Sequence, residues 1–143
     1  MSSIWIMPLN LEEVNRRSKH TLSDHLGIVF IDMGDDYLKA SMPVDERTCQ
    51  PMGILNGGAS TALAETVASA AANFCVDQTQ KICVGLEINA NHLRPARTGS
   101  TVTAIAKPLH LGKTTQVWEI KIHNEFKQLI CISRLTLAVL SKS

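Results

Sequence analysis

Residues 56–76 read NGGASTALAETVASAAANFCV, from Asn56 to Val76. Alanine holds seven of the twenty positions after Asn56 (59, 62, 64, 68, 70, 71 and 72), and no proline interrupts them. Alanine is the best helix former, so the stretch predicts one long helix over about 57–76. At about 100° per residue, Leu63, Val67 and Phe74 gather on one apolar stripe. Glu65 falls almost opposite that stripe and is the only charge in the segment. Its helical neighbours are Gly58, Thr61, Ala62, Ala68, Ser69 and Ala72, all small. A solvent-facing helix normally carries several charged side chains, so this second face is expected to be covered too. Glu65 then lies in a confined place. It is either a carboxylate held at the rim of an interface or a group with a raised proton affinity, fit to act as general base or nucleophile.

The helix start carries a second feature. Asn56-Gly57-Gly58 follows the loop Cys49-Gln50-Pro51-Met52-Gly53, and two residues without side chains leave the first amides open to close approach. Those amides have no partner inside the helix, and the dipole makes that end electropositive. The arrangement suits a site that polarises a carbonyl; a tight loop-to-helix turn that needs glycine only for its dihedrals would read the same way. Gly57 and Glu65 are separated by about 12 Å along one helix axis. One small electrophile can hardly meet both. Two antiparallel copies of the helix, facing through their small residues, would bring Glu65 of one chain towards Gly57 of the other, so a dimer with two shared sites is expected.

Outward from the helix, Ile28–Met33 and Tyr37–Met42 read as two strands around the turn formers Gly34-Asp35-Asp36, a hairpin. Before them, Asn10 caps a short amphipathic helix from Leu11 to about Lys19, with Glu12 and Glu13 in its first turn. After Lys81, four stretches (Ile82–Asn89, Thr101–Leu109, Thr115–Ile122 and Leu129–Leu140) are rich in β-branched residues with period-two alternation. Helix, hairpin, long helix and a run of strands make an α+β order, with a curled antiparallel sheet of five or six strands around the central helix.

The chain of 143 residues is 45% hydrophobic and 19% charged, enough apolar material for one domain with a real core. Fourteen Lys plus Arg against thirteen Asp plus Glu leave a formal net charge of +1, too balanced for a broad nucleic-acid grip. No apolar run approaches the ~20 residues of a membrane span, and the first residues lack the pattern of a secretion signal, so the cytoplasm is the expected compartment. Cys49, Cys75, Cys83 and Cys131 are then expected as free thiols, and no Cys or His spacing suggests a metal. Gly58-Ala59-Ser60-Thr61-Ala62 is not a G-x-S-x-G nucleophile elbow, and no phosphate-binding glycine loop occurs.

Three stretches, QPMGILNGGASTALAE, VGLEINANHLRPAR and KPLHLGKTTQVWEI, together with the motif GxxxGGxxxxLAE, resemble the hotdog-fold acyl-CoA thioesterases. The branch is that of the hydroxybenzoyl-CoA, dihydroxynaphthoyl-CoA and phenylacetate-type enzymes, and the resemblance spans about residues 5–140. It implies a single hotdog domain over 1–143 that hydrolyses an aromatic or medium-chain acyl-CoA. The thioester is the substrate, no cofactor is retained, and the assembly is a homodimer with shared sites, or a homotetramer. By resemblance, the amide of Gly57 polarises the thioester carbonyl and Glu65 of the partner is nucleophile or general base. Gln50, Asn56 and Ser69 fall on the family's other catalytic positions. Gly58, Gly85, His92, Arg94, His110, Gly112, Lys113, Thr114 and Thr115 fall on contacts to coenzyme A. Arg94, Arg97, His110 and Lys113 are expected at the ends of two neighbouring strands, where they could meet phosphates. One departure is visible: the family's His-Gly-Gly is here Asn56-Gly57-Gly58, and asparagine carries no proton near neutral pH. A non-catalytic acyl-CoA-binding module of the same fold is the alternative that this departure suggests. His20, His25 and His123 read as surface or structural.

Overall fold

The computed structural model describes residues 2–143. Helix α1 (Leu11–Arg17) opens where Asn10 Oδ1 accepts the Glu13 amide at 3.1 Å, with acids in its first turn and Arg16 and Arg17 in its last. A further short helix, α2 (Leu22–His25), follows; its single turn gives no periodicity by which the sequence could announce it. Strands β1 (Val29–Met33) and β2 (Leu38–Pro43) form the expected hairpin. The long helix α3 runs Gly57–Phe74, one turn fraction shorter than the alanine pattern suggests. At its end the ladder tightens, the Cys75 amide bonding the Ala72 carbonyl at 3.1 Å. The carbonyls of Asn73 and Phe74 are taken by the Gln78 side chain at 2.8 Å and by the amides of Ile6 and Met7 at 2.9 and 3.1 Å. Strands β3 (Lys81–His92), β4 (Thr101–Leu111), β5 (Thr115–His123) and β6 (Leu129–Ser141) complete the chain, each longer than its apolar alternation implies.

All neighbouring strands are antiparallel, in the order β1-β2-β4-β5-β6-β3. The sheet bends around α3, which packs against β2, β3, β4, β5 and β6. Small residues on the inner face, Ala40, Ala104 and Ala106, make room for it, while Leu63, Val67, Ile120, Ile122, Leu135 and Leu137 fill the space between. Trp118 is wholly buried, and its indole donates to Gln116 Oε1 at 2.8 Å, so the largest core side chain keeps its one polar atom satisfied. Burial of each such side chain stabilises the fold by about 1.5–3 kcal/mol.

The small-residue face of α3 is covered in part by the chain itself. Ala68 and Ala72 are fully buried, and α3 packs against β3. Asn73 fixes that contact: its amide donates to the Cys83 carbonyl at 3.2 Å and its Oδ1 accepts the Cys83 amide at 2.9 Å. A helix side chain thus takes the place of a neighbouring strand at the outer edge of β3.

Candidate active site

At the start of α3, Asn56 accepts with Oδ1 from the amide of Gly58 at 2.6 Å and more weakly from that of Ala59 at 3.4 Å. Its own amide donates to the Thr48 carbonyl at 2.8 Å, which fixes the entry angle of the chain. The amide of Gly57 has no acceptor among the described residues. Gly57 lines a cleft of about 410 Å³ together with Ile54, Leu55, Ser60, Leu93, Ala96 and Ile130, with His92 and Arg94 also on its wall. The loop before the helix is tied to the segment after β3, because Leu55 donates to the Ala96 carbonyl at 2.8 Å and Ile54 bridges to Arg97. These ties bring the end of β3 over the helix start. His92 stands so close that a Cβ on Gly57 would lie 3.0 Å from its Nε2. A side chain at Gly57 would therefore press on the imidazole, which would have to give by a few tenths of an ångström.

Two turns along α3, the carboxylate of Glu65 lies against the backbone of Gly85 on β3, close enough that a Cβ there would collide with Oε2. Ser69 follows one turn later, half-buried on the same face. The Glu65 carboxylate forms neither an ion pair nor a hydrogen bond with any described residue. Gln50 is folded on its own loop, where its side-chain carbonyl accepts the amide of Met52 and its main-chain carbonyl that of Gly53.

In the turn between β4 and β5, the amide of Gly112 donates to the Thr115 carbonyl at 2.8 Å and the His110 imidazole packs on its Cα. Lys113 and Thr114 are exposed on the same turn. The register carries this turn to the Glu65 end of the molecule: Thr115 pairs with Ala138 and Ala138 with Val84, next to Gly85.

The basic residues expected to cluster do not meet within one chain. β3 and β4 are separated by β6 and β5, because β3 takes the place beside β6 while β4 pairs with β2 and β5. His92, Arg94 and Arg97 lie at one end of the sheet with Gly57; His110, Gly112, Lys113, Thr114 and Thr115 lie at the other with Glu65 and Gly85. Sequence reasoning missed Ser60, which is 3% exposed and lines the cleft. Its position four residues after the cap was the available signal. The apolar lining was missed as well, since Leu55, Leu93 and Ile130 converge only through long-range pairing. No group of three or more metal-ligating side chains occurs among the described residues, and no described helix is long and apolar enough to cross a membrane.

The chain is similar to known thioesterases over most of its length. The model of the thioesterase superfamily matches residues 52–131, from the loop before α3 into β6. The 1,4-dihydroxy-2-naphthoyl-CoA hydrolase of Escherichia coli is 50% identical over 137 residues, 96% of this chain and 99% of that one. Among solved structures, a mutant thioesterase, PA1618, of Pseudomonas aeruginosa superposes with a TM-score of 0.95 at 49% identity, covering 98% of this chain and 100% of that one. Thioesterase HI1161 of Haemophilus influenzae superposes with a TM-score of 0.93 at 48% identity, covering 96% and 95%. With these relatives over nearly its whole length and a curled six-stranded sheet around one long helix, the chain belongs to the hotdog-fold thioesterase superfamily and is a thioester hydrolase.

Proposed function

We propose that the protein hydrolyses an aromatic or medium-chain acyl-CoA thioester to the free acid and coenzyme A, in a homodimer with two shared sites. The observation that carries the reading is the division of one helix between two incomplete half-sites. The unpaired amide of Gly57 opens into an apolar cleft at one end, and the lone carboxylate of Glu65 lies two turns away with the basic turn at Lys113. A second, antiparallel copy would place Glu65 and the turn of one chain opposite Gly57, His92 and Arg94 of the other.

In that arrangement the thioester carbonyl accepts a hydrogen bond from the Gly57 amide, which stabilises charge as the carbon becomes tetrahedral. Glu65 either takes a proton from an attacking water or attacks the carbonyl itself, and in the second case water then cleaves the anhydride. The C–S bond breaks with its electron pair on sulfur, and the thiolate leaves as coenzyme A. Arg94, His110, Lys113, Thr114 and Thr115 suit the phosphates of that leaving group, His92 stands on the wall of the cleft, and Gly58 and Gly112 allow close backbone approach. Gln50 and Ser69 are proposed to orient the acyl group and Glu65.

The relative that acts on a naphthoyl thioester supports the aromatic class. Two solved mutants of one Staphylococcus aureus protein, 42% identical to this chain, substitute a glutamine and a glutamate fifteen positions apart, the spacing of Gln50 and Glu65. The test is release of thiol from benzoyl-CoA and hexanoyl-CoA, before and after dialysis against EDTA. Turnover that survives the chelator is expected. Loss of activity restored by zinc, or tight binding of both thioesters with no release, overturns the reading, and the second result would leave an acyl-CoA-binding module.

A further inference from the structure

We infer that Gly85 is a positioning residue for the Glu65 carboxylate, holding it in place by having no side chain of its own. The inference rests on the reading of Glu65 as base or nucleophile and adds what keeps that group aimed. No donor and no cation among the described residues holds Glu65. Its place is therefore fixed by shape. Oε2 lies too close to the place of a Cβ on residue 85 for the two to coexist, and Leu135 Cδ1 lies 3.5 Å from that same place.

The strand is deformed at this position. β3 pairs with β6 in one register up to Gly85 opposite Leu137, then in another from Glu87 opposite Thr136, so Leu86 is an inserted residue. Such a bulge bends the strand and re-aims the residues beside it. Gly85 has no left-handed φ, so its backbone would accept an alanine without strain. The one conflict an alanine meets below ordinary contact distance is with the end of the Glu65 side chain, which is flexible and would swing away. The fold needs no glycine here; the carboxylate does.

Gly85→Ala therefore separates positioning from structure and from coenzyme binding. Displacing a reacting group by about 1 Å can cost about 10²-fold in rate, so kcat is expected to fall by that order while KM and the thermal midpoint hardly move. Shortening the acid relieves the overlap, so Glu65→Asp combined with Gly85→Ala should lose less activity than the product of the two single losses. Three results would overturn the inference: unchanged kcat in Gly85→Ala, a rise in KM at constant kcat, which marks a contact to the thiol portion alone, or strictly multiplicative losses. Glu65→Gln is run beside it. If that variant is inactive while Gly85→Ala is normal, only the positioning role falls; if it turns over freely, the role of Glu65 falls with it.

Discussion

Asn56 Oδ1 holds the amide of Gly58 at 2.6 Å, which leaves the adjacent amide of Gly57 as the free donor of the helix start. One side chain thus both caps the helix and selects which amide faces the cleft. Asn56→Ala should lower stability by about 1 kcal/mol, the ordinary worth of such a cap, measured by chemical denaturation. Asn56→His tests the departure from the family. An imidazole at the electropositive helix start would titrate below the usual histidine value of about 6.5. If it assists departure of the thiolate, kcat rises and its pH profile gains an inflection in that region. An unchanged profile would show that residue 56 only caps.

Shared sites make a prediction about mixtures. Gly57→Val crowds His92 and blocks approach to the amide, and Glu65→Gln removes the carboxylate; each protein alone should be inactive. In a mixed dimer one site unites the intact Gly57 of one chain with the intact Glu65 of the other. Random exchange in a two-fold dimer should therefore recover about a quarter of the wild-type activity. No recovery after subunit exchange verified by mass spectrometry, or a stable monomer by light scattering, would rule out the shared site.

Much of this was legible in the residues. The alanine run gave α3, and the alternation in Trp118, Ile120 and Ile122 gave an inward face that is in fact wholly buried. The lone charge at Glu65 and the glycines at 57 and 58 marked two points, two turns apart, on one helix. Strand order was not legible. Whether β3 pairs with β4 or with β6 depends on packing between residues far apart in the chain, and that choice separates Arg94 from Lys113. The Asn73 to Cys83 link also hid, because an asparagine near a helix end reads as an ordinary polar residue until the strand beneath it is known.

The turn at Gly112 should tolerate no side chain. A Cβ there would meet the His110 imidazole and lie 2.8 Å from the Thr115 carbonyl, and the second is main chain that can yield only by opening the turn. Gly112→Ala is expected to raise KM for an acyl-CoA at least about tenfold with kcat little changed, the pattern of lost ground-state binding. An equal KM for acyl-CoA and a truncated acyl-pantetheine would confirm that the loss lies on the nucleotide side. A fall in kcat alone would contradict the binding role.

Thiol reactivity follows burial. Burial pushes the Cys75 thiol up to about 12 and the Cys83 thiol up to about 11, and raises Cys131 in the same direction, so these three stay protonated at pH 8. Cys49 is half-buried in the loop before α3. A disulfide reagent at pH 8 should modify Cys49 alone in the folded protein and all four cysteines in denaturant. Fast modification of a second thiol would show that β3 opens from α3 in solution.

The place of β3 in the sheet also orders events during synthesis. Its partner in the sheet, β6, leaves the ribosome after β4 and β5, so the niche around Glu65 has no outer wall while the hairpin of β4 and β5 is already complete. During that interval the strand is held to the helix by the Asn73 amide bonds at Cys83 and, past its far end, by the ties of Leu55 to Ala96 and Ile54 to Arg97. A nascent chain paused before Leu135 would display a formed helix and an exposed glutamate, open to chaperones and proteases.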